Sequence, residues 1–433
     1  MRFLLLFIPF IINAANLNFE LFKKESNEKG NTLLIIGGIH GDEPGGYFAP
    51  AFLEQYYEIK SGNVWVIPDL NADSIMANNR GLYNDMNRKF SSIESNDPDY
   101  DTVTKVKEII LDKKVDLILN LHDGYGFYRN KYENAIFNPN AWGQATIIDQ
   151  EKINGLDKFG NLDEIASQVN DSLNKDNLFK DYHSFGVKNT ETKFKDEQMQ
   201  LSLTFFAVTH NKPAFAIETS KNITDLTHKV IYQLKSIEEF MNIMHIKFER
   251  KFDINNYEDV QKKLFDFGKV RVNDNIVFDL SDIKNYTKFV PLKENESENI
   301  FKFEHSLGAY KYIDGRYEIY IGNIKVTEFY PQIFEIAKAE KKIKIEVDGK
   351  VIETPFASQI DIKKEFKIVK SDYRVNIIGF SKSGLDSEDD ILIEEKDIQD
   401  NYSVDNGKTK YRAEFYKDGK FYGMIILNFK GEK

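Results

Sequence analysis

The sequence predicts an α/β domain followed by two all-β modules. From residue 16 to about residue 222, apolar runs alternate with amphipathic stretches, which is typical of a largely parallel sheet flanked by helices. Beyond residue 244, short alternating runs are joined by Asp-Gly pairs, which favour β-hairpins. A length of 433 residues also indicates more than one domain. We therefore divide the chain into a leader (1–15), an α/β domain (16–244), a β module (245–337) and an immunoglobulin-like β-sandwich (338–433).

The first residues have the pattern of a secretory signal peptide. Arg2 is followed by an apolar run over residues 3–12, and the small residues Ala14 and Ala15 stand where a signal peptidase would cut. The run is too short to span a bilayer, which takes about 20 apolar residues. We therefore expect an exported protein whose mature chain begins near Ala15 or Asn16. An uncleaved anchor is the alternative.

Charge and composition exclude two classes of function. The formal net charge is -11, which argues against a nucleic-acid partner because phosphate binding requires clustered lysine and arginine. The chain contains no cysteine. Thiolate metal ligands, thiol nucleophiles and disulfides are therefore excluded.

Four apolar runs of the α/β domain are predicted as strands, and four amphipathic stretches as helices. The runs lack a polar alternation, which indicates strands that are buried on both faces. The predicted strands are 32–38, 63–68, 115–121 and 213–218, and the predicted helices are 49–57, 103–111, 162–173 and 224–244. In the β modules, hairpin turns are predicted at Asp314-Gly315, Asp348-Gly349 and Asp418-Gly419.

The first of these strands ends in two candidate metal ligands. The apolar run 33–36 breaks at two glycines and is followed by His40 and Glu43, three residues apart. Imidazole nitrogen and carboxylate oxygen are both good Zn²⁺ donors. Pro44 stands where the first turn of a helix would begin. In an open α/β sheet, ligands collect at the carboxyl ends of the strands, so we interpret this pair as half of a metal site. A chance pair in a surface loop is the alternative.

A second buried strand ends in His122. Neighbouring strand ends could bring His40, Glu43 and His122 to one point. Three protein ligands leave a fourth position for water, which is typical of a catalytic zinc site. Nearby carboxylates could accept a hydrogen bond from the free imidazole N–H and fix its tautomer. The candidates are Asp42, Asp85 and Asp123. For Asp42, a solvated side chain without such a role is the favoured interpretation.

Two arginines and a glutamate complete the candidate site. Arg80 and Arg88 follow a strand in a polar segment, and a guanidinium there could bind a carboxylate or stabilise an oxyanion. Ordinary surface arginines are the alternative. Glu218 ends an apolar run, where a charge is costly to bury unless it is paired or used. Beside a zinc-bound water it could serve as general base.

These residues, in this order, resemble those of the zinc carboxypeptidase superfamily, which includes carboxypeptidase A and the succinylglutamate desuccinylase/aspartoacylase branch. The resemblance implies a mixed, mostly parallel sheet flanked by helices, and one zinc ion per chain. It also implies a role for each matching residue: His40, Glu43 and His122 hold the zinc, Arg80 polarises the scissile carbonyl, Asn87 and Arg88 hold the terminal carboxylate of the substrate, Asp85 supports His40, and Glu218 is the base.

The whole architecture looks more narrowly like the periplasmic D,L-carboxypeptidases that set cell shape in helical Gram-negative bacteria. This resemblance implies periplasmic trimming of peptidoglycan tripeptide side chains to dipeptides, with release of terminal meso-diaminopimelate. Carboxypeptidase A has a tyrosine on a mobile loop that closes over substrate. In this sequence such a tyrosine is assigned only by region, to Tyr125, Tyr128 or Tyr182.

Two other functions remain open. The first is a zinc-dependent deacylase of small acylated amino acids, against which export counts. The second is a non-enzymatic wall-associated scaffold, which predicts a broken ligand set. The β modules could bind a cell-wall protein through exposed aromatics such as Tyr310 and Tyr312, although cross-strand packing is the commoner role of such residues.

Overall fold

The computed structural model describes residues 19–273, 275–334 and 341–429. The predicted leader and the predicted module boundary at residues 337–338 lie outside these ranges. The chain divides into two compact units, Met1–Lys251 and Phe252–Lys433. Within the described residues, no helix has the length and apolar character that crossing a membrane requires.

The first unit is built from strands and helices that alternate along the chain. Its strands are β1 (Phe22–Glu25), β2 (Thr32–Ile36), β3 (Tyr57–Ser61), β4 (Asn63–Ile67), β5 (Leu117–Gly124), β6 (Phe127–Tyr128), β7 (Phe137–Asn138), β8 (Ala145–Ile148), β9 (Gly186–Asn189), β10 (Ala214–Ser220) and β11 (Lys247–Arg250). Its helices are α1 (Pro44–Tyr56), α2 (Ala72–Met76), α3 (Tyr100–Ile110), α4 (Leu162–Leu173), α5 (Thr192–Lys195), α6 (Leu203–Thr209) and α7 (Leu226–Ile243).

Seven of these strands form one mixed sheet in the order β1-β4-β2-β5-β10-β8-β9. The four central strands, β4, β2, β5 and β10, are parallel, whereas β1 and β8 run antiparallel to their central neighbours. Every residue of β2 and β5 is buried. The α/β domain and its buried strands are therefore confirmed, and the carboxyl ends of β2, β5 and β10 meet at one edge.

Helix α1 begins at Pro44, where the sequence places the first turn of a helix, although the helical spacing was recognised only from residue 49. Gly45 and Gly46 weaken the helical signal in the sequence, because glycine is a poor helix former. Close packing requires them: a Cβ on Gly46 would stand 2.6 Å from the carbonyl oxygen of Leu121, and one on Gly45 would stand 2.4 Å from Oδ1 of Asp123. The glycines thus let the start of α1 approach the end of β5.

The second unit is mostly β. It contains one described α-helix, α8 (Tyr257–Leu264), and strands arranged in a three-stranded sheet and three four-stranded sheets. The strands are β12 (Lys269–Val272), β13 (Ile276–Asp279), β14 (Tyr286–Lys293), β15 (Phe301–Phe303), β16 (Gly308–Ile313), β17 (Arg316–Ile321), β18 (Ile324–Phe334), β19 (Lys342–Val347), β20 (Lys350–Pro355), β21 (Gln359–Ile362), β22 (Glu365–Ile368), β23 (Arg374–Ile377), β24 (Ile393–Glu394), β25 (Lys410–Lys417) and β26 (Lys420–Phe429).

The three predicted hairpin turns are confirmed. They join β16 to β17, β19 to β20 and β25 to β26. Asp and Gly have positive φ in all three turns, as the mirror-image turns that fit the twist of a hairpin require. The two sheets that follow residue 341 share one apolar core, to which Ile345, Phe366 and Phe415 contribute.

Candidate metal centre and active site

Three strand ends bring the predicted site residues together. His40 follows β2, and Glu43 is the N-cap of α1. His122 lies on β5 and Glu218 on β10, and the parallel register pairs these two residues directly. Paired residues of neighbouring strands project from the same face of a sheet. Glu218 and His122 therefore face the same side, although the sequence places them far apart.

His40, Glu43 and His122 form a buried cluster whose ligand atoms all lie within 4.8 Å of one another. Nδ1 of His40 is 3.1 Å from Oε1 of Glu43, and Nδ1 of His122 is 2.8 Å from Oε2. The two Nδ1 atoms are 3.1 Å apart. Two imidazole nitrogens and a carboxylate that converge in this way suit a divalent ion such as zinc, with a fourth position for water.

Asp85 and Arg80 hold the cluster from outside. Oδ1 of Asp85 lies 2.8 Å from Nε2 of His40, which leaves Nδ1 for the cluster. Nε of Arg80 donates to Oδ2 of Asp85 and Nη1 donates to Oε1 of Glu43, both at 3.0 Å. A carboxylate on the far nitrogen of a ligating histidine fixes its tautomer and orientation. This contact fits the support of His40 by Asp85 that the resemblance implies.

The electrostatics of the cluster favour a bound cation. Burial lowers the pKa of His40, but Glu43 and Asp85 outweigh it and raise the value to about 9. Burial acts against ionisation of Glu43, yet the two histidines hold its pKa well below the ordinary value. Burial and the charge of Glu43 raise the pKa of Glu218 well above the ordinary value. A metal ion that replaces the proton on His40 would keep the charge of Glu43 balanced, and its binding would release that proton.

Asp123 supports Glu43 and has no described hydrogen bond to either imidazole. Its backbone N–H donates to Oε2 of Glu43 at 3.2 Å. Its carboxylate accepts from Gly45 N at 3.0 Å, from Lys229 Nζ at 2.9 Å and from the hydroxyl of Thr219. The expectation that Asp123 fixes an imidazole is therefore corrected. Its side chain ties the first turn of α1 to β5 and α7, because the start of that helix needs an acceptor.

Asp42 and Lys221 form an ion pair at the cavity wall. Nζ of Lys221 lies 2.6 Å from Oδ2 of Asp42 and 3.5 Å from Oε1 of Glu43. Sequence reasoning missed both lysines of this region: Lys221 follows the polar end of β10, and Lys229 lies on the amphipathic helix α7.

A cavity of ≈ 220 Å³ opens over the cluster and is lined by Glu218. The carboxylate of Glu218 lies against Gly124: a Cβ there would stand 2.8 Å from Oε2 of Glu218 and 2.5 Å from Cβ of Trp142. Glycine at this position therefore makes room for both side chains. Sequence reasoning missed Trp142, which lies in a loop without a pattern of its own.

Asn87 and Arg88 lie on a short 3-10 turn, Met86–Arg88, and line the same cavity. The turn is capped by Asp85, whose side chain accepts from Asn87 N. Oδ1 of Asn87 accepts from Leu203 N at 2.9 Å, so its NH₂ group remains as the donor toward the cavity. Of the three candidate tyrosines, Tyr125 lines the cavity.

Comparison with known proteins gives a consistent result. A family model described as "carboxypeptidase controlling helical cell shape catalytic" matches residues 3–262. A second, described as the C-terminal domain of metallo-carboxypeptidase, matches residues 336–430. No curated protein sequence matches the chain.

Several crystal structures of the cell shape determinant Csd4 from Helicobacter pylori are similar over nearly the whole chain. The apo structure has 33% identity and a TM-score of 0.85, and covers 95% of this chain and 100% of its own. A tripeptide-bound structure has 32% identity, a TM-score of 0.85 and the same coverage. The mDAP-bound form, described as a D,L-carboxypeptidase, has 34% identity and a TM-score of 0.84, and covers 94% of this chain and 100% of its own.

Proposed function

This chain belongs to the family of carboxypeptidases that control helical cell shape, and from that premise we propose that it is a zinc-dependent D,L-carboxypeptidase of peptidoglycan. It trims tripeptide side chains to dipeptides by releasing the terminal meso-diaminopimelate. The observation that carries the proposal is the convergence of His40, Glu43 and His122 with Glu218 in one cavity. The intact ligand set argues against the scaffold function.

The metal would be held by Nδ1 of His40, Nδ1 of His122 and the carboxylate of Glu43. When bound, zinc would polarise the carbonyl oxygen of the scissile amide and lower the pKa of the attacking water. The choice of zinc rests on the donor set, because tetrahedral sites with two histidines, one glutamate and an open position are typical of zinc hydrolases.

Glu218 moves the protons of the reaction. Its carboxylate takes a proton from the attacking water and passes it to the nitrogen of the leaving residue. Burial raises the pKa of this carboxyl, which makes its ionised form a stronger base toward that water. Arg80 stabilises the negative charge that develops on the carbonyl oxygen, and Asp85 orients its guanidinium.

Arg88 and Asn87 orient the substrate. The guanidinium of Arg88 and the NH₂ group of Asn87 bind the terminal carboxylate of the tripeptide, because both are donors at the cavity wall. The hydrogen bond from Leu203 N fixes the amide of Asn87 in that direction. This arrangement selects a chain end over an internal peptide bond.

We further propose that the protein acts in the periplasm after export through its signal peptide, residues 1–15. Residues 16–244 would form the catalytic domain, residues 245–337 a β module and residues 338–433 an immunoglobulin-like module. The shared core of the last two sheets supports a sandwich. Tyr310 and Tyr312 pack against Tyr317, so cross-strand packing explains why these aromatic residues are present. Binding of a cell-wall protein partner through them stays a prediction.

The reaction is tested by incubating the purified mature protein with muropeptides of defined stem length and following the products by mass spectrometry. We expect loss of one diaminopimelate from tripeptides, abolished by a chelator and restored by zinc. Glu218→Gln should bind zinc normally but turn over at least about 100-fold more slowly. Unchanged muropeptides in the presence of metal-loaded wild-type protein would contradict the proposal.

A further inference from the structure

Asn120 is a buried polar residue whose hydrogen-bonding groups the fold leaves unused. Its side chain is 1% exposed. Neither Nδ2 nor Oδ1 has a hydrogen-bond partner among the residues that the structure describes. Burying an amide without partners is unfavourable, and native proteins avoid it unless the group has another use. A group outside the protein chain is therefore expected to pair with it.

The sheet register places Asn120 directly below the catalytic residues. His122, Glu218 and Ala145 form one row across β5, β10 and β8. Asn120 and its cross-strand partners form the next row on the same face, two residues deeper, or about 7 Å along the strands. Asn120 lines the catalytic cavity. A ligand side chain that extends inward from the reacting bond would meet this amide.

The nearest cross-strand neighbours of Asn120 on the β10 side are apolar. The row runs from Asn120 through Ala216 and Ile147 to Lys188, whose Nζ donates to the carbonyl oxygens of Pro139 and Ala141. Met199 and Thr204 also line the cavity. Asn120 thus presents two N–H donors and a carbonyl acceptor between mostly apolar walls. The ligand group that satisfies both unpaired atoms of this amide carries an acceptor beside a donor.

The far end of diaminopimelate is such a group. Its ammonium can donate to Oδ1 of Asn120 while its carboxylate accepts from Nδ2. A lysine side chain would leave Nδ2 unpaired, because its ammonium group offers no acceptor. We propose that Asn120 is the specificity-determining residue that recognises the amino acid end of the released residue's side chain. This inference rests on the proposed carboxypeptidase function.

The test compares three tripeptides that differ in the third residue: meso-diaminopimelate, lysine and norleucine. For the wild type we expect kcat/KM to favour diaminopimelate over norleucine by at least about 100-fold, because a site built for hydrogen bonds rejects analogues that lack them. Asn120→Leu should lower that ratio by at least about 10-fold, mainly by weakening the diaminopimelate reaction. Its thermal stability should not fall, since no protein partner is lost.

Asn170→Leu is the matched control. Asn170, on α4, is also buried, but its Oδ1 accepts from the hydroxyl of Thr146 on β8, and it does not line the cavity. It should lower stability and leave the ratio unchanged. If Asn120→Leu does not fold, Asn120→Ala is used in its place. In the wild type, free diaminopimelate should inhibit at a concentration at least about 10-fold below that of lysine or norleucine.

The outcomes separate the two proposals. An unchanged ratio in the folded Asn120 variant, or equal inhibition by the three free amino acids, would overturn the inference while the wild type still releases diaminopimelate. A wild type that releases no residue from any tripeptide would overturn the proposed function and this inference with it.

Discussion

The buried ion pair between Lys229 and Asp123 is expected to stabilise the floor of the active site. The two groups are 2.9 Å apart, and their side chains are 6% and 0% exposed. Lys229→Met would leave the Asp123 carboxylate buried and without its counter-charge. Removing one partner of such a pair costs about 3–5 kcal/mol. At about 2–4 °C per kcal/mol for a domain of this size, the melting temperature should fall by roughly 6–20 °C.

Tryptophan fluorescence measures this effect in the first unit alone. Both tryptophans of the chain, Trp65 and Trp142, lie in that unit. Lys105→Met is the control, because the pair between Lys105 and Glu108 is 46% and 62% exposed and such pairs contribute at most about 1 kcal/mol.

A second variant separates the charge from the hydrogen bond. Asp123→Asn added to Lys229→Met removes the unpaired charge but keeps an acceptor for Gly45 N. It should recover more than half of the lost stability. Equal melting temperatures for Lys229→Met and Lys105→Met would refute the reasoning.

Three further predictions concern the site and the second unit. Gly124→Ala should lower kcat at least about 10-fold with little change in zinc content, because its Cβ would displace Glu218; unchanged turnover would contradict the assigned place of that carboxylate. Asp85→Ala should weaken zinc binding about 10–100-fold in a chelator competition, because it removes the acceptor that orients His40, and an unaltered affinity would count against that role. Burial lowers the pKa of His305 to about 4, so stability that is fully present above pH 6.5 is lost as the pH falls toward 4, by up to about 3 kcal/mol. His305→Gln should abolish that part of the pH dependence in calorimetry, and a wild-type slope in the variant would contradict the assignment.

The sequence predicted the centre of the site because the relevant residues break a strong local pattern. His40 and His122 each stand at the end of a mostly apolar run with a glycine close by, and Glu218 is a charge at the end of another such run. The local pattern of apolar residues indicates these positions, because it shows where each strand ends. The resemblance then supplied Asn87 and chose between the roles that the residues alone leave open for Arg88, in a segment that has no periodicity.

Other features depended on tertiary contacts that no local pattern records. The helical spacing of α1 was recognised only from residue 49, because Gly45 and Gly46 serve packing against β5 and are poor helix formers. Asp123 was assigned to an imidazole, whereas Lys229, 106 residues further along the chain, takes its carboxylate. In the sequence, Asn120 is a single polar residue within a buried strand. The sheet register was needed to show that it faces the cavity of the site.

The most direct test of the account is anomalous X-ray diffraction from crystals of the zinc-loaded protein, recorded on both sides of the zinc absorption edge. We expect one anomalous peak per chain, about 2.0–2.2 Å from Nδ1 of His40, Nδ1 of His122 and a carboxylate oxygen of Glu43. The peak should lie in the cavity that Glu218 lines. A peak elsewhere, or none in protein that is active and metal-loaded, would contradict the metal centre on which the proposed function depends.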